Sequence, residues 1–326
     1  MTTYKSIKGF NIQTRSSDPP APFEGQVWYN SNSGTVKYFA NLSAAWSTGG
    51  ALGTARYDSG GCGTQTSALC FGGINQDEDI VAATEEYGGT SWTGGGNMGT
   101  ARAKLGGCGT QTAALAFGGI TTPSSSSRTT ATEEYGGTSW TSGGALSLAR
   151  VNMGSAGTQT AGLAFGGNTG SYSDKTEEYN GSSWTSGGDL PSAKNGVRGA
   201  GTQTAALAIG GFGTNTAEEY NGSSWTAGGN LPAGKSMMAS GGLQTAALAA
   251  GGENQPGSSV LATTELYNGT SWTAVASMNT ARKQLMGAGT TTAGLAFGGL
   301  TPPSTAMTQT EEWNEGGPAT LTVETE

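Results

Sequence analysis

One ten-residue segment, Thr-Gln-Thr-Ala-Ala-Leu-Ala-Phe-Gly-Gly at residues 110–119, recurs along most of the chain. Six copies end in a Gly-Gly pair, about 41 to 48 residues apart, and the first glycines are Gly72, Gly118, Gly166, Gly210, Gly251 and Gly298. In the first five repeats a tyrosine follows, with a tryptophan five residues later: Tyr87 and Trp92, Tyr135 and Trp140, Tyr179 and Trp184, Tyr220 and Trp225, Tyr267 and Trp272. A repeat of this length cannot bury its apolar face alone and must stack on its neighbours.

Each repeat divides into four short strands, which we label a to d. In the second repeat, strand a is predicted from Arg102 to Cys108, strand b over 113–117, strand c over 132–135 and strand d over 139–141. Strand b is apolar at consecutive positions, as expected when both faces of a sheet are covered. The Asn-Gly pairs that follow several of the tyrosines favour a tight hairpin between strands c and d. Four-stranded repeats of this period are typical of a β-propeller.

Composition supports this prediction and narrows the chemistry. Glycine supplies 58 of 326 residues, but at fixed offsets within the repeats, which indicates tight turns and close sheet packing. The formal net charge of −8, without a basic block, argues against nucleic acid as a partner. Cys62, Cys70 and Cys108 form no metal-ligand spacing and are interpreted as small buried apolar residues. We therefore expect no metal and no cofactor.

The front of the chain differs from the repeats. Residues 1–22 are polar, end in Asp-Pro-Pro-Ala-Pro and are predicted to be an extended leader. Two strands are predicted at 25–30 and 35–39 around a turn, with a third at 44–48. The predicted N-terminal β segment, residues 23–46, resembles a GxxWYNxxxGxxKxF…W module of bacteriophage tail-fibre proteins and would supply the strand that closes the propeller. No signal peptide or membrane span is predicted.

The repeats at 47–326 resemble kelch repeats: a basic residue opens strand a, Gly-Gly closes strand b, Tyr lies on strand c and Trp on strand d. The resemblance implies that the Tyr and Trp rings are buried between blades. The amino-acid sequence of the repeats is also similar to that of repeats in proteins of aquatic phages. The expected fold class is all-β, a kelch-like propeller of six four-stranded blades.

Closure of the propeller leaves alternatives. The sixth repeat contains Glu311-Glu-Trp-Asn but no tryptophan five residues after Trp313. An N-terminal strand carrying Trp46 would complete that blade and leave fewer exposed edges. Seven blades, with 5–48 as a degenerate blade, or completion of the sixth by 319–325 are the alternatives.

Two sets of candidate binding residues follow from this arrangement. The loops between strands b and c differ between repeats in length and amino-acid sequence, which is typical of a binding face on a fixed frame. Sequence change in loops without any function would give the same pattern. The candidates there are Asp77, Glu78, Asp79, Ser125, Arg128, Tyr172 and Asp174. A ring of basic residues is predicted near the channel mouth on the same face: Arg56, Arg102, Arg150, Lys194, Lys235 and Arg282. Unpaired, this ring would attract anionic groups; the alternative is that the Glu-Glu pairs of strand c neutralise it.

Enzymatic functions are disfavoured. The chain has no histidine, so a Ser-His-Asp triad and the copper site of galactose-oxidase-type propellers are excluded. The repeated Glu-Glu pairs indicate framework, because a glycosidase needs one pair in one cleft. The predicted function is a non-enzymatic phage virion component, a tail-fibre or receptor-binding propeller that contacts a host surface receptor, a glycan. Other tail proteins would bind the N-terminal segment, synthesis would be cytoplasmic, and a homo-oligomer is possible. A purely structural virion adaptor or an intracellular protein-interaction propeller are the alternatives.

Overall fold

The computed structural model describes residues 12–124 and 127–323, and within them the regular structure is all strand, with no helix. The chain divides into two units, Ala45–Asn314 and a smaller unit built from Met1–Ala44 with Glu315–Glu326. No described segment forms a helix long and apolar enough to cross a membrane.

The described part of the larger unit contains six four-stranded sheets, numbered 1 to 6 along the chain. Strands a to d of sheet 1 are Gly60–Gly63, Ala68–Phe71, Thr84–Tyr87 and Trp92–Gly94. Those of sheet 2 are Gly106–Gly109, Ala114–Phe117, Thr132–Tyr135 and Trp140–Ser142. Those of sheet 3 are Gly154–Gly157, Gly162–Phe165, Thr176–Tyr179 and Trp184–Ser186. Sheets 4 and 5 have Arg198–Thr202, Ala205–Ile209, Ala217–Tyr220 and Trp225–Ala227; and Ala239–Leu243, Ala246–Ala250, Thr264–Tyr267 and Trp272–Val275. Sheet 6 has Met286–Gly289, Ala293–Phe297 and Thr310–Asn314, with Ala45–Thr48 as its fourth strand.

Three short two-stranded pairs lie among the loops of this unit. They join Arg56–Tyr57 to Ile74–Asn75, Gly234–Ser236 to Glu253–Gln255, and Leu300–Thr301 to Thr305–Ala306. Each lies in a connection that the repeat pattern leaves irregular.

Pairing within these six sheets is antiparallel throughout. Short turns join strand a to strand b, whereas longer loops join strand b to strand c. In sheet 6, Trp46 lies opposite Trp313, which is the pairing that the sequence suggests for the strand at 44–48. The competing C-terminal strand, Gly317–Thr322, pairs instead with Thr35–Leu42 in the smaller unit.

A ring of six backbone hydrogen bonds links the segments just before strand a. The amide of Asp58 donates to the carbonyl of Gln284, and each later member donates to the member before it. The donor–acceptor distances are 2.7 to 3.1 Å, and the members are Asp58, Lys104, Asn152, Gly196, Met237 and Gln284. All six adopt positive φ, between 51° and 70°, although one alone is glycine. Such φ values are costly for ordinary side chains, so the surrounding structure must hold them.

The core lies between adjacent sheets. The cluster between sheets 2 and 3, for example, joins Leu115 and Phe117 of one sheet to Ala164, Tyr179 and Trp184 of the next. Strand b is buried in each sheet, apart from its first residue in sheets 4 to 6, which explains its apolar run and its small residues. The first glycine of the Gly-Gly pair is also required by geometry. Gly118 has φ +64°, and a Cβ there would lie 2.7 Å from the carbonyl oxygen of Arg150.

The smaller unit is a four-stranded sheet in the order Gln13–Arg15, Val27–Asn30, Thr35–Leu42, Gly317–Thr322. Gln13–Arg15 runs parallel to its neighbour and lies within the segment predicted as a leader. Trp28 is fully buried, and its indole N–H and the Asn30 amide both donate to Asp18. The side chain of Lys37 pairs with the same carboxylate at 3.1 Å. The boundaries therefore differ from the predicted ones, because residues 317–322 pair with the N-terminal strands rather than with the repeats.

Candidate functional site: the basic ring, its carboxylates and the variable loops

The six basic residues of the predicted ring are buried. Four of them, Arg56, Arg102, Arg150 and Arg282, are fully buried, and Lys194 and Lys235 are 2 % exposed. In Arg102 the Nη1 donates to the carbonyls of Gly118 and Ala131, at 3.0 and 2.7 Å. The other three arginines repeat this contact with the first glycine of their own Gly-Gly pair. The basic residue thus fixes the end of strand b.

Each ring residue also pairs with the first glutamate of strand c in its own sheet. The pairs are Arg56–Glu85, Arg102–Glu133, Arg150–Glu177, Lys194–Glu218, Lys235–Glu265 and Arg282–Glu311. The second oxygen of several of these carboxylates accepts a backbone N–H from the turn before the ring residue, as Glu133 does from Gly99 at 2.6 Å. Burial lowers the pKa of Arg102, Arg150, Arg282, Lys194 and Lys235, and the paired glutamate opposes that shift in each case.

The ring is therefore a set of buried ion pairs and not an open anion-binding surface. Of the two arrangements that the sequence left open, the structure shows the paired one. The physical reason is that six uncompensated cations could not be buried without a large desolvation cost. The expected attraction of this ring for anionic groups depended on unpaired side chains and no longer follows.

The second glutamate of strand c has a different partner. It accepts a hydrogen bond from the tyrosine hydroxyl of the following sheet, as in Tyr135 to Glu86 and Tyr179 to Glu134, both at 2.5 Å. The series continues with Tyr87 to Glu312, Tyr220 to Glu178 and Tyr267 to Glu219. The first glutamate of each pair thus binds the basic residue of its own sheet, and the second binds the tyrosine of the following sheet.

Sheets 5 and 6 break this series in a correlated way. Strand c of sheet 5 has Leu266 in place of the second glutamate, and strand c of sheet 6 has Trp313 in place of the tyrosine. The indole of Trp313 donates instead to the Thr291 carbonyl at 2.8 Å. Where the acceptor is lost, the hydroxyl that would need it is lost as well.

The strand d tryptophans are core residues. Trp184, Trp225 and Trp272 are 7 to 9 % exposed, and Trp92 and Trp140 are half-buried against apolar clusters. The indole of Trp184 donates to the hydroxyl of Thr132 in the preceding sheet at 2.9 Å. The same bond joins Trp92, Trp140, Trp225 and Trp46 to Thr310, Thr84, Thr176 and Thr264. Sheet 4 has Ala217 at the threonine position, and Trp272 there donates to the Gly229 carbonyl. The prediction that these rings are largely buried is confirmed.

A third bond between sheets was not anticipated. The glutamine in the turn between strands a and b donates to two carbonyls of the preceding sheet, as Gln111 does to Ala68 and Tyr87 at 3.1 and 2.6 Å. Gln65, Gln159, Gln203 and Gln244 make the equivalent contacts. The repeated Gln-Thr pair was the available signal in the sequence, since a glutamine present in five equivalent turns needs a structural reason.

The tyrosine–glutamate bonds predict that stability falls at alkaline pH. Burial raises the pKa of Tyr87, Tyr135, Tyr179 and Tyr220 to about 12, and the facing glutamate adds to the shift. A tyrosine titrates near 10 in the unfolded chain. The stabilisation is then complete below pH 10 and is lost as the pH rises from 10 to about 12. Urea unfolding at pH 8 to 11.5 should show the free energy of unfolding declining above pH 10.

The control is Tyr220→Phe, which removes one titrating hydroxyl. It should cost stability at pH 8, because Glu178 loses its donor, and should make the decline above pH 10 shallower. An unchanged alkaline slope in this variant would contradict the assignment.

The first variable loop, at 75–83, presents its acidic residues to solvent. Asp77, Glu78 and Asp79 are all exposed. The side chain of Asn75 accepts the amides of Asp77 and Asp79, at 3.0 and 2.8 Å, and so fixes the turn. Glu78 has φ +64° and accepts the Tyr57 hydroxyl at 2.7 Å. The two aspartates project freely, whereas Glu78 is held by the frame.

The second and third loops contact each other. Arg128 donates from Nη2 to the Asn168 side chain at 2.9 Å, so it joins the loop at 121–131 to the one at 168–175. Tyr172 is 49 % exposed, and Asp174 lies 3.4 Å from the ammonium of Lys175. The predicted Ser125 lies outside the described residues.

These loops form a connected surface over an apolar base. The amide of Ala306 in the sixth loop donates to Gln76 of the first at 2.7 Å. Beneath them a cluster spans four repeats and contains Tyr57, Ile74, Ala103, Ile120, Val151, Leu300 and Ala306. The predicted binding residues of loops 1 to 3 thus lie on loops that adjoin this apolar cluster, and loops 2 and 3 are in direct contact.

Comparison with known proteins supports the fold and is silent on activity. No family model and no curated protein matches the sequence. Among solved structures, YjhT superposes with a TM-score of 0.65 over 80 % of this chain and 95 % of that one, at 13 % identity. At that identity the likeness concerns the fold alone. Together with the six antiparallel sheets, it defines a fold of the β-propeller kind.

Proposed function

We propose that this chain is a kelch-type, six-bladed propeller that acts as a non-enzymatic phage virion component and contacts a host surface glycan through its b–c loops. The blades are sheets 1 to 6, and the strand carrying Trp46 completes the last one. The proposal rests on three features: a closed cycle of contacts, a repeated frame with divergent loops, and a separate N-terminal unit.

The cycle of contacts supports six blades. The backbone ring returns from Gln284 to Asp58 after six members. Bonds between sheets follow the same order: Trp92 of sheet 1 donates to Thr310 of sheet 6, and Trp46 of sheet 6 donates to Thr264 of sheet 5. A seventh blade would have to interrupt both series.

The contrast between frame and loops carries the functional part. The ion pairs occur in all six sheets, and the tyrosine–glutamate and glutamine bonds each occur five times with equivalent partners. Six equivalent surfaces cannot recognise one asymmetric ligand, whereas the b–c loops differ in length, charge and wording. Exposed Asp77, Asp79 and Tyr172 offer two carboxylates and an aromatic ring, which are the groups that bind sugar hydroxyls and stack on sugar rings.

The smaller unit suits attachment to another virion protein. It exposes several large apolar side chains, among them Phe23 at 68 % and Leu42 at 45 %. Exposed apolar residues of this kind mark protein contacts when they cluster on one surface. In this arrangement the N-terminal unit binds the tail and the propeller loops meet the host cell.

The test is substitution of the three free loop side chains, Asp77→Ser, Asp79→Ser and Tyr172→Ser, in one protein. Adsorption to host cells should fall about tenfold or more, since loss of interface anchors costs roughly 2 kcal/mol or more. Thermal stability should stay nearly unchanged, because none of the three side chains is buried.

The matched control is Leu243→Ser. Leu243 is 56 % exposed at the a–b turn of sheet 5, on the opposite side from the b–c loops. This variant should adsorb like the unmodified protein. Retained adsorption by the triple variant would overturn the attachment face and favour a purely structural virion role.

A further inference from the structure

The six a strands surround a cavity of about 150 Å³. Its lining is mostly glycine, alanine, serine and cysteine, with methionines at one end. Arg198 is the one charged residue among the described residues that line it. The volume is far above the ~10–15 Å³ that a single water needs, so there is room for a small ion with water.

Arg198 breaks the repeat. The equivalent position of strand a is occupied in the other sheets by Gly60, Gly106, Gly154, Ala239 and Met286. In sheets 1 to 3 the cross-strand partner is phenylalanine, and a Cβ on Gly60 would lie 2.1 Å from the Phe71 ring. Sheet 4 has Ile209 opposite Arg198, so no aromatic ring lies across from this position.

The guanidinium is buried but incompletely bonded. Arg198 is 8 % exposed, and its Nε donates to the Met238 carbonyl at 2.9 Å. Within the described residues its two terminal amino groups have no hydrogen-bond partner, and no carboxylate oxygen lies within ion-pair distance. It differs in this respect from every member of the basic ring, each of which has its own glutamate.

The carboxylate that acts on Arg198 through its charge is that of Asp58, a member of the backbone ring. Its Oδ2 accepts the Gln284 side chain at 2.8 Å, and its Oδ1 has no partner in the described structure. Burial lowers the pKa of Arg198 to about 10, against the field of Asp58. Arg198 therefore carries its charge at neutral pH without a direct counter-ion.

We propose that Arg198 makes the cavity a binding site for a small oxyanion, the shared chemistry of carboxylate, phosphate and sulfate. Two adjacent N–H donors of a guanidinium match two oxygens of such an anion. A bound anion would also offset the cost of burying an unpaired cation. This site is independent of the loop face and would exist whatever the host receptor is.

The test measures phosphate, sulfate and acetate binding to the purified full chain by titration calorimetry and thermal shift, at constant ionic strength. The unmodified protein should bind at least one of them saturably at one site and gain thermal stability as its concentration rises. The three anions separate a tetrahedral inorganic ligand from a carboxylate. Arg198→Met should weaken that binding about tenfold or more, because it removes a charge-assisted pair of bonds.

Methionine is chosen because Met286 occupies the same strand position in sheet 6, so the frame accepts it. Without anion, Arg198→Met should be as stable as the unmodified protein or more so, because a buried unpaired charge is removed. Lys175→Gln, an exposed residue, changes the net charge equally and should bind anions normally.

Three results would overturn the site. They are no saturable binding of any of the three anions, equal anion stabilisation in Arg198→Met and the unmodified protein, or a large loss of stability in Arg198→Met without anion. The last would show that Arg198 is part of the frame.

Discussion

Replacing Arg282 with methionine should destabilise the protein by roughly 3–5 kcal/mol, the cost of leaving a buried charge without its partner. Arg282 and Glu311 form the most buried pair of the ring, with neither side chain exposed, at 2.9 Å. Arg282 also donates to the Gly298 and Gln309 carbonyls, both at 2.8 Å. The measurement is urea unfolding at neutral pH, with the slope checked for two-state behaviour.

The neighbouring residue supplies a matched control. Lys283 pairs with Glu253 at 3.0 Å but is partly exposed, so Lys283→Met should cost only ~0–1 kcal/mol. Arg282→Lys should be milder than Arg282→Met, because Lys194 and Lys235 occupy the ring position in sheets 4 and 5. Equal costs for the Arg282 and Lys283 methionine variants would show that the ring is not part of the frame.

A double variant tests the origin of the cost. Arg282→Met with Glu311→Leu removes both charges and should recover part of the loss. Recovery is incomplete because the carbonyls of Gly298 and Gln309 lose their donor.

The strands and the core were predictable because the same pattern of apolar residues, glycines and aromatic residues recurs in every repeat. In sheet 2, strand c lies at 132–135 as predicted, and strands b and d begin one residue later than predicted, at 114–117 and 140–142. Strand a was misplaced at its start: the basic residue precedes the strand, which in sheet 2 begins at Gly106. Between Arg102 and Gly106 the chain passes through the backbone ring, where Lys104 has φ +56°. A positive φ at lysine leaves no signal in a sequence.

The partners of the polar residues were only half predictable. The sequence pattern suggested that the Glu-Glu pair neutralises the basic ring, and the first glutamate does so. That the second reaches the tyrosine of the next sheet depends on how sheets are staggered, which composition cannot show. The sequence does contain one sign of this contact between sheets. Leu266 replaces the second glutamate in one repeat and Trp313 replaces the tyrosine in the next, so the acceptor and its donor are lost together.

The candidate binding residues were likewise predictable only in part. The loop residues were chosen for their variation, and the structure places Asp77, Asp79 and Tyr172 in solvent. Arg198 is not predicted by the residues that recur, because it is a departure from the repeat. Arg198 lies at a position that is glycine in sheets 1 to 3, so it stands out only when the repeats are compared for their differences.

Removing the indole of Trp184 should cost roughly 3–5 kcal/mol, as expected for a large-to-small change in a packed core. Trp184 packs against Phe117 and Tyr179, with ring centroids 4.8 and 5.0 Å away, and is 9 % exposed. Trp184→Ala would leave a cavity between sheets 2 and 3 and an unpaired hydroxyl at Thr132. Urea unfolding of the purified variant measures the loss.

Two companion variants separate packing from hydrogen bonding. Trp184→Phe keeps an aromatic ring and should lose far less than Trp184→Ala, with about 1 kcal/mol of its loss due to the bond to Thr132. Thr185→Ala, at the next and exposed position of the strand, should stay within ~0.5 kcal/mol of the unmodified protein. If Trp184→Ala instead kept its stability and lost glycan binding, the tryptophans would be ligand platforms. The opposite result is expected, because four of the five indoles pack between a tyrosine ring of the adjacent strand and a phenylalanine ring of the preceding sheet, which leaves a sugar little surface to stack on.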